Sequence, residues 1–440
     1  MKRYIIAAAI LFAAFASFAD ENEKTQISLT ADSAVEYALK NNIDVKTQAI
    51  STEQSRREYA HSWNNILPSV NATGTGSETR TYKNSDTDTL SVNAGVTASL
   101  SIDFGLASKI KSLKSEYEAG KSTYADTVRA TETAVRQSFY NLLYLKEKLE
   151  SARTTLSSYQ RQYEQTQAKA KRGVASELDL LTAQVNLETA KPDVDSAENT
   201  YQNAFISFLN TIGIEIEPNT EIVLDGTLDY ADSVQKIDSR EIAEKCVEQS
   251  SEVRVLEEKI RTAEYSRTST AASLFFPTLN ASATAYPFSF QNEKISGNES
   301  TTSSWSISLG LSLPLDSWIP GSSARDKVAA LDDTIETYNL QLENTKKTVR
   351  TNVIEKLKSI ELSQKTLEAR KMNVQLAKKS YEMTEDAYSR GTKDLLTLQN
   401  SLDKLQTAQL QLREEQYTLI KNVLDLENTL SLSSGSFFDK

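Results

Sequence analysis

The sequence predicts a mixed α and β membrane protein that is internally duplicated, with four β strands and long coiled-coil helices in each chain. Three observations carry this prediction. The 440-residue chain repeats itself with a period of about 210 residues, far longer than a solenoid repeat. Strict alternation of apolar and polar residues occurs once in each half. No proline interrupts residues 106–191 or 321–440, and heptad stripes of apolar residues run through both stretches, although not to the end of the second.

The duplication is visible in two pairs of matching motifs. The first pair is Leu67-Pro68-Ser69-Val70-Asn71-Ala72-Thr73 and Phe276-Pro277-Thr278-Leu279-Asn280-Ala281-Ser282. The second pair is Tyr163-Glu164-Gln165-Thr166 leading to Arg172-Gly173, and Tyr381-Glu382-Met383-Thr384 leading to Arg390-Gly391. These motifs predict a first structural repeat over 20–213, an inter-repeat linker over 214–236, a second repeat over 237–431 and a frayed tail over 432–440.

The N-terminus has the features of a secretory signal peptide over residues 1–19. Lys2 and Arg3 precede an apolar run, and Ser17-Phe18-Ala19 forms a small-residue cleavage site. The alternative, a membrane anchor, is disfavoured because the apolar run is shorter than the ~20 residues that a helical span needs. Removal of residues 1–19 changes the formal net charge from −11 to −13.

Two β hairpins are predicted after the proline motifs, with strands over 67–82, 90–104, 276–290 and 305–316. In the second and fourth strands every other residue is apolar, and the residues between are mostly small and polar. A half-buried sheet in a soluble domain gives the same alternation. Length favours a membrane sheet, because a span takes ~9–11 residues and soluble strands average ~5–6. Pro287 and Pro314 then require an edge or a bulge.

The remaining sequence predicts long helical hairpins. Residues 106–171 can form one helix ~100 Å long, which belongs to a coiled-coil rod or a barrel of helices. Gly173 and Gly391 are suited to the turn just past a helix end, and Ser176 and Asp394 to the following N-caps. Return helices are expected over 177–212 and 395–431. Each half therefore contains a helical hairpin, with its tip near Gly173 or Gly391.

The composition argues against catalysis, cofactor binding and nucleic-acid binding. The chain has one histidine, one cysteine and three methionines, too few for a His/Cys metal cage or a thioether-rich copper path. It lacks a glycine-rich phosphate loop, a G-x-S-x-G motif and a basic patch. The sequence therefore predicts neither an enzyme nor a cofactor.

Four strands do not close a barrel, and open sheet edges are not tolerated in lipid. The chain is therefore expected to oligomerise, and three copies supply twelve strands and twelve helical columns.

The residues above resemble the outer-membrane efflux proteins, or TolC-like channels, over nearly all of the mature chain. The resemblance is carried by Leu67-Pro68 and Phe276-Pro277, by Asp103-Phe104-Gly105 and Pro320-Gly321, and by the tips Arg172-Gly173-Val174 and Arg390-Gly391-Thr392. It implies a homotrimer with a twelve-stranded β-barrel in outer-membrane lipid and a periplasmic helical tunnel. It also implies docking of the tips to a periplasmic adaptor (membrane fusion) protein, which links the channel to an inner-membrane pump of the RND or ABC type.

The resemblance also implies a gate at the tunnel mouth, closed by polar links between neighbouring tips. By motif position its tyrosine and basic residue are similar to Tyr388 and Lys393, and their aspartate partner to Asp179. Two rings of aspartate that narrow the mouth in the best-known member fall on Thr397 and Asn400 here. The expected function is therefore the passive exit duct of a tripartite efflux or type I secretion system. The alternative is an exported coiled-coil structural or adhesive surface protein, which accounts for the heptads and the export but not for the duplication or the paired alternations.

Overall fold

The computed structural model of the chain describes residues 25–83, 85–214, 220–235, 239–293 and 297–438. The predicted signal peptide, residues 1–19, lies outside this part. The described residues form two halves with the same order of elements: a pair of helices, a β hairpin and a long helical hairpin.

The first half begins with a short strand, β1 (Thr25–Leu29), and continues through α1 (Ala31–Asn41), α2 (Ile43–Ala60), β2 (Ser69–Lys83), β3 (Ser85–Ile102), α3 (Leu106–Lys171) and α4 (Glu177–Ile212). The second half begins with β4 (Thr220–Leu224) and continues through α5 (Ser239–Gln249), α6 (Ser251–Phe275), β5 (Thr278–Glu293), β6 (Asn298–Ser312), α7 (Ser323–Ser389) and α8 (Leu395–Thr429). The helices α3 and α7 have 66 and 67 residues, so each is about 100 Å long at 1.5 Å per residue.

The four long strands form one antiparallel sheet in the order β2-β3-β5-β6. Pairing between β3 and β5 joins the two halves of the chain in this sheet. Among the described residues, β2 and β6 are each paired on one side only. Within the described residues the sheet therefore has two open edges, which agrees with the expectation that the chain oligomerises.

The two faces of the sheet differ as the alternation predicts. Ile307 and Leu309 on β6 are both 74% exposed, on the face that carries Val92 and Val96 of β3. On the opposite face, Ser69, Ser99, Ser282 and Ser308 lie side by side across all four strands. Their Oγ atoms are 2.8 Å apart between Ser69 and Ser99 and 2.7 Å apart between Ser282 and Ser308. One face thus satisfies its polar groups internally, and the other is apolar.

The observed strands differ from the predicted ones mainly at the loop ends of the hairpins. β3 begins at Ser85 rather than at residue 90, and β6 begins at Asn298 rather than at residue 305. β6 also ends at Ser312, before Pro314. The apolar alternation indicates only the part of a hairpin that needs an apolar face, whereas backbone pairing continues through the polar residues beyond it.

Pro287 lies inside β5 at an irregularity in the pairing with β6, between Tyr286 and Ser289. A bulge tolerates proline because one ladder hydrogen bond is already missing there. The Tyr286 ring lies over Gly95 on β3, and a Cβ at Gly95 would come within 2.8 Å of this ring. The glycine therefore makes room for the aromatic side chain.

Two segments that the sequence left without structure are ordered. Part of the predicted linker, 214–236, forms β4, which pairs in parallel with β1. The prediction of a frayed tail over 432–440 is wrong as far as Phe438. Phe438 is buried, its ring lies 4.4 Å from the Tyr230 ring, and Gly435 and Phe437 donate backbone N–H groups to the Glu427 carboxylate.

The main hydrophobic core lies halfway along the helical part, where α1, α5 and β4 pack around the long hairpins. Phe139 on α3, Phe208 on α4 and Ile420 on α8 are each at most 1% exposed. Burying side chains of this size contributes about 1.5–3 kcal/mol each. Within the described residues, no helix combines the length and hydropathy of a membrane span.

Candidate functional site at the helical tips

Both hairpin tips close in the same way. Helix α3 ends at Lys171, Gly173 follows with φ +72°, and the N–H groups of Gly173 and Val174 donate to the carbonyls of Ala170 and Lys169. Helix α7 ends at Ser389, and Gly391 has φ +76°. The N–H groups of Gly391 and Thr392 donate to the carbonyls of Tyr388 and Ala387. These are Schellman motifs, in which a residue with positive φ allows the last carbonyls to be satisfied.

The six predicted docking residues lie on these two exposed turns, three on each. Val174 is 74% exposed, and Gly173 and Gly391 have open space where a Cβ would be added. Arg172 donates to the carbonyl of Ala168 on its own helix, and Arg390 forms a salt bridge with Asp386, one turn before it. The remaining predicted docking residue, Thr392, is also exposed. The surface of each tip is therefore set by the backbone of its turn and by the few exposed side chains on it.

The return helices begin with side-chain caps. Ser176 accepts from the Asp179 N–H, and the Asp179 carboxylate accepts from the N–H and hydroxyl of Ser176 at 3.1 and 2.7 Å, which completes a capping box. Asp394 accepts from the Thr397 N–H at 2.7 Å. Hydrogen bonds from Thr397 lower the pKa of the exposed Asp394 carboxyl from its ordinary value. Each tip is therefore fixed on both sides of its turn.

Within the described residues of one chain, no hydrogen bond joins the predicted gate residues Tyr388, Lys393 and Asp179 to one another. Asp179 binds its own N-cap, Lys393 is exposed just before Asp394, and the Tyr388 hydroxyl accepts from the Lys169 ammonium at 3.1 Å. Lys169 also lies 4.2 Å from the centre of the Tyr388 ring, a cation–π distance. The sequence analysis missed Lys169. Its only signal was position in the last turn of α3, where a basic residue is ordinary.

Thr397 and Asn400 lie on the first two turns of α8. Thr397 is half-buried, and Asn400 is exposed with Lys404 on one side of the helix. Neither residue carries a charge, so these positions offer hydroxyl and amide groups to the solvent.

Most exposed apolar residues of α4 lie near its tip, namely Leu178, Leu181 and Val185. Those of α7 are spread along the helix, from Leu340 to Met383. Because α3 packs against α8 within the chain, α4 and α7 lie on the outer flanks of the two hairpins. Their exposed apolar residues therefore lie on the flanks of the chain, outside the contact between α3 and α8.

Groups of reactive side chains are scarce. The described residues contain no cluster of three or more His, Cys, Asp or Glu side chains that is arranged to hold a metal ion. Cys246 is buried on α5, and burial raises the pKa of its thiol.

Comparison with known proteins now decides the family. A profile described as "Outer membrane efflux protein" matches residues 34–213 and 243–431, which together include both hairpins and all four long strands. The chain belongs to the outer membrane efflux protein family. The predicted efflux channel is thereby favoured over the alternative, an exported structural or adhesive protein, and the family is one of channels rather than enzymes.

Two bacterial efflux proteins are similar to this chain at low sequence identity. The channel is 23% identical over 416 residues to the probable efflux pump outer membrane protein TtgC of Pseudomonas putida, covering 90% of this chain and 81% of TtgC. It is 27% identical over 184 residues to the cation efflux system protein CusC of Escherichia coli K12, covering 40% of this chain and 37% of CusC.

Solved structures share the fold. The CmeC outer membrane channel of Campylobacter jejuni superposes with a TM-score of 0.77 at 18% identity, over 93% of this chain and 86% of CmeC. The open MtrE outer membrane channel of Neisseria gonorrhoeae gives 0.74 at 19% identity, over 91% of this chain and 89% of MtrE.

These findings confirm the predicted fold class, outer-membrane location and channel function. Channels of this family are trimers with a helical barrel and a β-barrel, and they work with adaptor proteins and inner-membrane pumps. The four-stranded sheet is therefore one third of the barrel in the outer membrane, and the helical hairpins extend into the periplasm.

Proposed function

We propose that the channel is the passive exit duct of a tripartite efflux or type I secretion system. In this function a periplasmic adaptor protein docks on the hairpin tips and opens the mouth, and an inner-membrane pump of the RND or ABC type supplies the energy. The observation that carries the proposal is the pair of matching Schellman tips, both exposed and both at the far end of helices about 100 Å long.

The docking surface comprises Arg172, Gly173 and Val174 at one tip and Arg390, Gly391 and Thr392 at the other. Photo-cross-linking from position 174 or 392 in intact cells tests it, with Leu340 on the outer flank of α7, far from either tip, as the control position. We expect an adduct of adaptor size from the tips and none from residue 340. Equal adducts from all three positions would show that the tips are not a specific docking site.

The gate is the second part of the proposal. Both bonds from the Ser176 cap go to the Oδ2 atom of Asp179. In the proposed gate, Oδ1 of Asp179 accepts a hydrogen bond from Lys393 of a neighbouring protomer. An exposed Lys–Asp pair contributes only ~0–1 kcal/mol. Threefold repetition and a Tyr388 hydroxyl bond raise the total to roughly a few kcal/mol. This is enough to favour a closed mouth, because about 1.4 kcal/mol changes a population tenfold.

Conductance in planar bilayers tests the gate. Combining Tyr388→Phe with Lys393→Ala is expected to raise the single-channel conductance, and adding Asp179→Ala is expected to raise it little further, because it removes the same links. Lys404→Ala, which removes an exposed lysine on α8 farther from the tip, is the control. An unchanged conductance in the triple variant would show that other contacts hold the mouth closed.

Thr397 and Asn400 bear on the selectivity of the mouth. With an amide and a hydroxyl at these positions, the mouth of this channel is expected to lack a carboxylate ring at that level. Multivalent cations are therefore expected to block the wild-type channel weakly, and Thr397→Asp with Asn400→Asp to strengthen the block. If the block by a trivalent cation is already strong in the wild type and the substitutions leave it unchanged, the two positions do not line the mouth.

A further inference from the structure

The contact surface between the two hairpins of one chain is divided into two unlike parts. Around the middle of the rod, Val135, Phe139 and Leu142 on α3 and Leu419 and Ile420 on α8 belong to the main hydrophobic core. Beyond Leu149, the buried residues of α3 are all polar, namely Ser158, Gln162 and Thr166. Helix α3 therefore buries apolar side chains in the middle of the rod and polar ones toward the tips, whereas α8 keeps buried leucines toward the tips, among them Leu398 and Leu402.

Three hydrogen bonds connect the hairpins in the lower part, and we call them the polar ladder. The Tyr159 hydroxyl donates to the Asp403 carboxylate at 2.7 Å, the Gln399 amide donates to Gln162 Oε1 at 3.3 Å, and Lys169 donates to the Tyr388 hydroxyl at 3.1 Å. The last contact is nearest to the tip, and it joins the end of α3 to the end of α7.

Polar contacts can be separated at lower cost than apolar ones, because water replaces a lost hydrogen bond but does not replace lost apolar packing. Thr166 fits this interpretation. It is 2% exposed in the middle of the lower part, and its hydroxyl makes no hydrogen bond within the described structure. A contact surface that buries a hydroxyl without a partner is less stable than one in which every buried polar group is hydrogen-bonded.

Lys169 makes the contact of the ladder that lies nearest to the tips. Its ammonium both donates to the Tyr388 hydroxyl and lies 4.2 Å from the ring centre. The carboxylate that the family resemblance gives as a partner of Tyr388, Asp179, is instead engaged in the cap of α4. Within one chain, the group that holds Tyr388 is therefore a lysine on the other hairpin.

We propose that Lys169 is a further gate residue, which holds the closed mouth by latching α3 to Tyr388 on α7 within each protomer. The polar ladder is then the segment along which the hairpins part when the mouth opens, and the apolar core above it stays packed. This inference rests on the gating function proposed above. Lys169 acts as a positioning residue, because it fixes the tyrosine side chain and does not contact the exported substrate.

Substitution at Lys169 with a matched control tests the latch. Lys169→Met removes the charge but keeps much of the side chain, Lys169→Arg keeps the cation, and Lys171→Met removes a charge from the same helical turn at an exposed position. We expect Lys169→Met to raise the open population in planar bilayers about fivefold, which corresponds to about 1 kcal/mol. Lys171→Met is expected to have no effect, and Lys169→Arg to retain most of the latch. Melting temperature and trimer content are expected to be the same in all three variants.

A double-mutant cycle separates the latch from a general charge effect. Lys169→Met in a Tyr388→Ala background is expected to add nothing to the conductance, because its partner is already absent. An equal increase in both backgrounds would overturn the contact as the cause.

A reversible cross-link tests whether the hairpins must part. Lys169→Cys with Tyr388→Cys is joined in cells by a cleavable bis-maleimide, and the buried Cys246 in the unsubstituted protein serves as the control for reagent effects. We expect export to stop on cross-linking and to recover on cleavage. Continued export through fully cross-linked trimers would overturn the parting of the ladder.

The failures of the two proposals are distinguishable. If Tyr388→Phe with Lys393→Ala opens the channel but Lys169→Met does not, the latch is wrong and the gate at the tips stands. If neither set changes the conductance and cross-linked channels still export, the gating function itself is wrong.

Discussion

The middle of the helical rod and its tips are built from the same four long helices, yet they are stabilised in different ways. Around Phe139, Phe208 and Ile420 the hairpins share an apolar core that side helices and a two-stranded sheet enclose. Near Gly173 and Gly391 they share the polar ladder and the capped turns. The difference shows that one continuous helix can bury apolar side chains in one region and polar ones in another, according to the residues along a single face.

The largest effect is expected from breaking the rigid region. Phe139→Ala removes a ring that is 1% exposed and that contacts Tyr140 and Phe208. Such a cavity costs about 3–5 kcal/mol. We expect a lower melting temperature and fewer heat-modifiable trimers, whereas Lys347→Ala, at an exposed position of α7, is expected to change neither. Similar trimer yields in both variants would contradict the assignment of the core.

The next largest effect is expected in the four-stranded sheet. Leu309→Arg places a charge on the apolar face of the sheet, and this costs about 2–4 kcal/mol at mid-span. Ser308→Arg lies one residue away on the polar face and is expected to be milder. The yield of trimers in outer-membrane fractions measures both variants. Equal tolerance on the two faces would contradict the orientation of the sheet.

A smaller effect is expected at the tips. Gly173→Val and Gly391→Val force a β-branched residue into positive φ, which costs about 1–2 kcal/mol. The surrounding space is open, so the strain is confined to the turn. Weaker adaptor cross-linking and export are expected while trimers remain intact, and Gly173→Asn is expected to be nearly neutral because asparagine tolerates this conformation. Normal export from both valine variants would show that the shape of the turns is not used.

The smallest effect is a pH dependence in the rigid region. Burial raises the pKa of Glu427 above its ordinary value, although N–H groups of the tail partly oppose this. The folded state therefore binds a proton more tightly than the unfolded state, so stability decreases as the pH rises from below 4.5 through the raised pKa. Each tenfold difference in proton affinity between the two states corresponds to about 1.4 kcal/mol of stability. Relative to Glu427→Gln, the wild type is expected to lose melting temperature as the pH rises through this interval. Parallel pH profiles of the two proteins would contradict the raised pKa.

The sequence was most informative where a local residue type determines the conformation. In the first helical hairpin, α3 ends just before Gly173 and α4 begins just after Ser176. In the second, α7 ends just before Gly391 and α8 begins just after Asp394. The alternation on β3 and β6 gave the faces of the sheet for the same reason, since side chains alternate along every strand.

The features that the sequence analysis missed depend on partners far away in the chain. The pairing of β1 with β4 joins short strands about 195 residues apart. Lys169 and Tyr388 are 219 residues apart, and a lysine in a last helical turn carries no sign of such a contact. Most residues of the tail are polar, but the Phe438 ring stacks on that of Tyr230, far away in the chain, and the nearby Glu427 carboxylate accepts two N–H groups of the tail.

The open edges of β2 and β6 have a consequence for inheritance. Because a barrel is complete only when each chain supplies both edges, a protomer with a damaged edge spoils every trimer that contains it. In a cell that produces equal amounts of intact and damaged chains at random, only about one eighth of the trimers contain three intact protomers. Edge-strand alleles of this gene are therefore expected to be dominant, whereas alleles that prevent synthesis of the chain are expected to be recessive.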